Sequence, residues 1–279
     1  MYMRKEYMGK TVYDALQERL KFLFEEFEHI FVSFSGGKDS GLLLNLVLDF
    51  QRKQYPEKKI GVFHQDFEAQ YTVTTEYVER TFERIKQEAE LYWVCLPMAT
   101  RTALSSYEMY WYPWDDTKKE LWVRPMPDKD YVISMEHNPI TTYRYRMPQE
   151  DLARQFGRWY RVSHGRKKTI CLLGMRADES LQRYSGFINK KYGYKENCWI
   201  SRHFKDVYCA SPLYDWSTED VWHANAIFGY DYNRLYDLYY MAGLKVSQMR
   251  VASPFNDYSK DSLNLYRVID PKIWVRLVG

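Results

Sequence analysis

The spacing of apolar residues changes along the chain, and each change predicts an element. Val12, Leu16, Leu20, Leu23 and Phe27 recur at three- and four-residue steps with charges between them, which predicts an amphipathic helix. A continuous apolar run follows, His29-Ile30-Phe31-Val32-Ser33-Phe34, and predicts a short buried strand. The run from position 41 to 48 is apolar on nearly every side and predicts a buried helix. Residues 59–64 predict a second strand, 71–90 a long charged helix, and 91–97 a third strand stopped by Pro97. The order strand, helix, strand, helix, strand predicts an α/β fold, a three-layer α/β/α domain with a mostly parallel sheet.

Residues 99–165 break that rhythm. They are rich in Trp, Tyr and Pro, as in Trp111-Tyr112-Pro113-Trp114, and show no clear period. An inserted cap beside the sheet ends is expected there, with a helix near 150–159. Thr169-Ile170-Cys171-Leu172-Leu173-Gly174 predicts a fourth core strand, and 194–213 an extended excursion. Ser217-Thr218-Glu219-Asp220 matches a helix start in which an acid three residues after the cap answers it. That helix should reach about 228, and another should span 234–241. The expected organisation is a nucleotide-binding α/β domain over 1–230, with the insertion at about 99–165, and a helical C-terminal extension over 231–279.

Composition narrows the class without naming a function. No apolar run approaches the roughly 18 residues needed to span a membrane, and positions 1–6 lack the apolar core of a secretory signal. The four cysteines stand at 95, 171, 198 and 209, too scattered for a Cys-x-x-Cys metal or redox pair. A cytoplasmic, reducing setting is expected. The net charge of +3 is too small to demand a nucleic-acid partner.

The candidate chemistry begins at Ser35-Gly36-Gly37-Lys38-Asp39-Ser40, between the first strand and the second helix. A glycine-rich turn into a helix leaves backbone N–H groups pointing outward at the positive end of the helix dipole, where phosphate binds. Ser35 and Ser40 add hydroxyls and Lys38 a mobile cation. Asp39 does not favour bare phosphate, so its expected role is to hold Mg²⁺ or to orient the loop. The string is not of the Walker type, because Asp39 follows the lysine. It also lacks the third glycine of the dinucleotide fingerprint.

This strand–turn–helix unit resembles the PP-loop of the ATP pyrophosphatase (adenine nucleotide α-hydrolase-like) superfamily. Two later stretches, Gly174-Met175-Arg176-Ala177-Asp178-Glu179-Ser180 and 211–222, are similar in order and content to motifs of its phosphoadenosine phosphosulfate (PAPS) reductase branch. The stretch 242–250 resembles one subgroup of that branch, the immunoglobulin-binding-regulator A type, whose members are often encoded beside a ParB-like protein. The resemblance implies binding of ATP or a related adenine nucleotide with Mg²⁺, cleavage between the α- and β-phosphates, an unknown acceptor substrate, and a possible ParB-like partner. Lys38, Asp39 and Arg176 are the residues it implies for catalysis. Ser35 to Ser40, Gly174 and Arg176 are those it implies for binding. The reductases of that branch carry a C-terminal catalytic cysteine, and no cysteine follows Cys209 here. Sulfonucleotide reduction would therefore need an external thiol, and no iron–sulfur cluster or zinc is expected.

Further residues admit two readings each. Arg176, just past a strand end, suits a clamp on phosphate or sulfate oxygens, with Arg183 as a second; the alternative is a surface ion pair with Asp178 or Glu179. His64, Asp66 and Glu68 follow the second strand and alternate, so they suit contact with ribose or adenine, or help with a metal. The alternative is a polar loop, with His64 a hydrogen-bonded core residue. Asp215 and Trp216 are expected to be structural. The segment 144–168 holds eight Arg or Lys among aromatics. It suits nucleic acid or a polyanion, or else a solvated helix face. A nucleotide-sensing or nucleic-acid-binding subunit is thus the second functional expectation.

Overall fold

Thr11 starts the first helix. Its hydroxyl accepts the Asp14 amide N–H at 3.1 Å, and the Asp14 carboxylate accepts the Thr11 N–H at 3.2 Å. Helix α1 (Val12–Glu26) then buries Leu16, Leu20, Leu23 and Phe24. The computed structural model describes residues 9–103, 105, 107–188, 193–256 and 263–278; positions 1–6, considered above for a signal, lie outside them.

The alternation that follows is β1 (His29–Ser33), α2 (Lys38–Gln54), β2 (Ile60–Gln65), α3 (Thr72–Ile85) and β3 (Ala89–Val94). A small antiparallel pair comes next, β4 (Thr100–Arg101) and β5 (Tyr110–Trp111), and then β6 (Val132–Ile133) and α4 (Gln149–Ser163). The chain continues through β7 (Thr169–Leu172), α5 (Leu181–Ile188), β8 (Ile200–Phe204), β9 (Val207–Ala210), α6 (Thr218–Phe228) and α7 (Leu235–Met241). It closes with α8 (Tyr266–Ile269) and α9 (Pro271–Val278). Among the described residues the main sheet has seven strands in the order β6-β3-β2-β1-β7-β9-β8. Every neighbouring pair is parallel except β8 with β9. The fold is therefore α/β with a mostly parallel sheet, and no described helix is long and apolar enough to cross a membrane.

Strand pleating sorts the side chains between two cores. Ile30 and Val32 of β1 join Ile170 and Leu172 of β7 in a cluster with α1, α2, α3 and α6. Phe31 points the other way, against Phe156 and Tyr160 of α4, each at a ring separation of 5.2 Å. Phe63 of β2 packs against Phe156 with the rings tilted and their centroids 4.3 Å apart. Helix α4 lies inside the region expected to be a cap. Leu152, Phe156 and Tyr160 recur every four residues, and that stripe forms the second helical layer. The irregular excursion is confined to about 99–147.

Order and direction place the candidate site. β1 is central, its following helix α2 lies on one face, and β2 and β7 flank it on opposite sides. In open parallel sheets a crevice forms at the carboxyl ends of such strands. Here the β1–α2 turn and the segment after β7 meet at that edge.

Candidate nucleotide site

The turn after β1 keeps its shape through its own side chains. Ser40 Oγ accepts the Ser35 N–H at 3.2 Å, lies 2.9 Å from Ser35 Oγ, and donates to the Gly37 carbonyl at 3.1 Å. Gly36 has φ +77°, and a Cβ there would lie 3.0 Å from Val78 Cγ2 and 3.2 Å from Thr74 Cγ2 on α3. Gly37 is the N-cap of α2 and brings no side chain to the cap. The first turn of this 17-residue helix opens onto the sheet edge, with the Lys38 N–H already held by the Tyr236 hydroxyl at 3.1 Å.

A cavity of about 700 Å³ lies over this turn, a volume suited to a nucleotide-sized ligand. Its floor is the β1–α2 turn and the segment 173–176 after β7. Thr218 and Glu219 supply a wall at the start of α6, whose Ser217 cap accepts the Asp220 N–H at 3.1 Å. The segment 246–252 covers it. Two helix N-termini therefore face one space.

The charges inside are interlocked. Asp39 Oδ2 accepts from Lys38 Nζ at 2.6 Å, and Oδ1 accepts from Arg176 Nε at 2.7 Å. The Arg176 side chain is only 3 % exposed, so its charge must be met from within. It donates to the Trp216 carbonyl at 3.2 Å, to Thr218 Oγ1 at 3.1 Å and to Asp178 at 3.4 Å. Arg176 is thus a buried strut between α2, the strand end and α6, although it still borders the cavity. Gly174 lets this strut form. A Cβ there would lie 2.8 Å from the Asp39 carbonyl carbon and the Ser40 nitrogen. Arg183 also lines the space, paired with Glu179 at 3.3 Å.

Against known families, residues 29–242 match the phosphoadenosine phosphosulfate reductase domain. The chain belongs to the phosphoadenosine phosphosulfate reductase domain family. Residues 243–279 match a second family, described as a domain of unknown function (DUF3440). A curated relative, the uncharacterised protein YbdN of Escherichia coli strain K12, is 33 % identical over 274 residues, covering 96 % of this chain. The chain spans 64 % of that relative's length. Among solved structures, a Candida glabrata FMN adenylyltransferase in complex with FMN and an ATP analogue has 12 % identity and a TM-score of 0.49, covering 94 % of this chain and 77 % of that one. A Candida auris PAPS reductase in a phosphate complex has 14 % identity and a TM-score of 0.44, covering 85 % of this chain and 87 % of its own. The turn, Gly174 and Arg176 all fall within the reductase-family region, whereas the 246–252 cover falls in the second.

The structure brings together Ser35 to Ser40, Gly174 and Arg176. It places His64 and Asp66 elsewhere, wholly buried behind the sheet edge. His64 Nδ1 lies 2.8 Å from the Phe34 carbonyl, and burial pulls its pKa below the ordinary value, favouring the neutral ring. Asp66 receives Arg124 on both oxygens, at 2.7 and 2.6 Å, and Trp93 Nε1–H at 2.6 Å. Burial alone would raise its carboxyl, but the Arg124 charge and the Trp93 N–H together hold it below the usual range. These groups anchor the 99–147 excursion rather than line the cavity. The expected alternation fails because Glu68 turns to φ +59°.

Glu68 completes that anchor, and burial pushes its pKa up to about 7. Its two oxygens accept the Trp114 and Val123 N–H groups, each at 2.6 Å. Between about pH 4.5, the ordinary value for a glutamate, and about 7 the folded chain holds a proton that the unfolded chain releases. Stability from this group is therefore greatest below that window and falls as pH rises through it. Thermal melts should show Glu68→Gln gaining on the parent between pH 5 and 8; a pH-independent difference would refute the linkage.

Several residues now in the site carried no signal in the sequence. Asn233 Nδ2 donates to the Gly36 carbonyl and to Thr74 Oγ1, both at 2.9 Å. The Tyr236 hydroxyl accepts the Lys38 N–H at 3.1 Å. Asp215, expected to be structural, receives Arg19 of α1 on both oxygens, at 2.8 and 2.5 Å. In the basic segment, Arg146 meets Asp115, Arg154 meets Asp151, Arg161 meets Asp206 and Lys168 meets Glu26. Half of its eight cations are thus paired with carboxylates, which weakens the field it could offer a polyanion. Among the described residues, no group of three or more His, Cys, Asp or Glu side chains is gathered as a metal site.

Proposed function

We propose that this chain binds ATP or a related adenine nucleotide in the cavity over the β1–α2 turn and transfers its adenylate to an oxygen acceptor. The observation that carries this reading is the glycine-led N-terminus of α2 opening into a nucleotide-sized space beside Lys38. The phosphates would lie on the first-turn N–H groups. An acceptor oxygen forms a bond to the α-phosphorus, the bond from that phosphorus to the bridging oxygen breaks, and its electron pair leaves with pyrophosphate. Lys38 would exchange Asp39 for the departing phosphates, and Arg176 would hold Asp39 in place meanwhile.

Mg²⁺ fits this donor set. Each Asp39 oxygen accepts one cation and keeps a second lone pair. One or two carboxylates with substrate phosphates make a usual magnesium shell. When bound, the ion would spread charge from the leaving phosphates.

With ATP labelled at the α-phosphate, the label should appear as AMP or an adenylated acceptor, with pyrophosphate as co-product. Label recovered as ADP, with orthophosphate, would reject the mechanism. Lys38→Ala should weaken ATP binding about tenfold, near 1.4 kcal/mol, as read by titration calorimetry.

Family membership supports a second reading, in which the nucleotide is PAPS and an external thiol reduces it. Sulfite release from PAPS with thioredoxin, and no turnover of ATP, would favour that reading over the first.

A further inference from the structure

A second cavity, about 220 Å³, opens beside the first and shares Leu173, Met175 and Arg183 with it. Its far wall carries Cys209 of β9 and His203 of β8. These strands are antiparallel neighbours, and Cys209 Sγ lies 3.3 Å from His203 Nδ1. At that distance the thiol donates to the neutral ring, or the thiolate accepts from the protonated one. On its other side Cys209 stands in register with Cys171 of the neighbouring parallel strand β7, and both side chains lie on the same face of the sheet. Cys171 is buried, whereas Cys209 is half-buried on the cavity wall. One sulfur therefore meets both a base and a second sulfur, next to space for a small reagent.

We propose that Cys209, paired with His203 and backed by Cys171, is a peroxide-reactive thiol that closes to a Cys171–Cys209 disulfide. The Cys209 thiolate attacks one peroxide oxygen, the O–O bond breaks, and the leaving hydroxide takes a proton from His203 to become water. Cys209 is then a sulfenic acid. The Cys171 sulfur attacks that sulfur, the S–O bond breaks, and the departing hydroxide leaves as water with the Cys171 proton. Two electrons pass from the two cysteines to the peroxide.

The surroundings favour the order of these steps. The neighbouring Cys171, then His203, draws the Cys209 thiol down to about 6, and the hydrogen bond with Cys209 raises His203. Arg154 of α4 adds positive charge toward Cys209, and Arg183 of α5 faces the cavity. Burial pushes the Cys171 thiol well up, so it stays protonated until Cys209 is oxidised.

The test uses the full chain and hydrogen peroxide, read by peptide mass spectrometry. One disulfide linking Cys171 to Cys209 is expected, with the mass loss of two hydrogens. Cys171→Ser should trap a sulfenic acid at Cys209, detected with a dimedone-type probe, and Cys209→Ser should form neither product. Alkylation of Cys209 by iodoacetamide should titrate near pH 6, and His203→Ala should raise that midpoint. At pH 7 such a thiol is about 30-fold more ionised than one of pKa about 8.5. Oxidation of Cys198 ahead of Cys209, or an alkylation midpoint of about 8.5, would overturn the proposal. A Cys209 that proceeds to sulfinic acid while Cys171 stays reduced would overturn it too.

Discussion

Arg176→Ala should reduce nucleotide affinity about a hundredfold and lower the melting temperature by roughly 4–12 °C. The side chain is buried and donates to Asp39, to the Trp216 carbonyl, to Thr218 and to Asp178. Removing one member of a buried charged pair costs about 3–5 kcal/mol, because the other charge stays desolvated. Lys38 still faces Asp39 in the variant, and Asp39 is partly exposed, which brings the expected cost to about 2–3 kcal/mol. For a domain of this size each kcal/mol moves the midpoint by about 2–4 °C. The affinity falls further than stability alone requires, because Asp39 sets where Lys38 sits. Arg176→Lys should not restore binding, since an ammonium cannot reach three elements at once as the guanidinium fork does. Calorimetric titration with ATP and a thermal melt read both effects; affinity within twofold of the parent would refute the role.

Gly174→Ala should abolish measurable binding while adding a single methyl group. Its Cβ would meet the Asp39 carbonyl carbon and the Ser40 nitrogen at 2.8 Å, and the Asp39 oxygen at 2.9 Å. All three are backbone atoms of the first turn of α2, so no side chain can swing aside. Either β7 withdraws or the helix start shifts, and overpacking of this kind costs about 1–3 kcal/mol. A displacement of an ångström there removes the N–H groups from any phosphate. Gly186→Ala is the control, because nothing lies within 4 Å of the Cβ it would gain. A control as damaged as Gly174→Ala would show that the loss is not local.

The two halves of the site differed in how far they could be inferred. Ser35 to Ser40 form one contiguous string, and its conformation depends mostly on local terms: two glycines, a helix start, and hydroxyls that bond within five residues. Arg176 sat just after an apolar strand, so its position at the sheet edge followed from the α/β order. His64 and Asp66 satisfied the same criterion and are buried instead. A polar residue at a strand end looks alike in sequence whether it meets a ligand or a partner such as Arg124, 58 residues further on. The 99–165 region was misjudged for a related reason. Its helix carries the stripe Leu152, Phe156, Tyr160 among many charges, and only the face formed by Phe31 and Phe63 reveals what the stripe covers.

By itself the amino-acid sequence determined the α/β order and the phosphate-type turn. These depend on periodicity, backbone freedom and residue identity, all of which act over a few positions. Tertiary structure alone decided which charges face the cavity. Asn233 and Tyr236 reach the turn across nearly 200 residues, Arg176 turns inward to hold Asp39, and Cys209 lies between His203 and Cys171. The reason is that ionic and polar groups are placed by the partners that desolvation forces on them, and those partners are set by packing across the sheet rather than by neighbours in the chain.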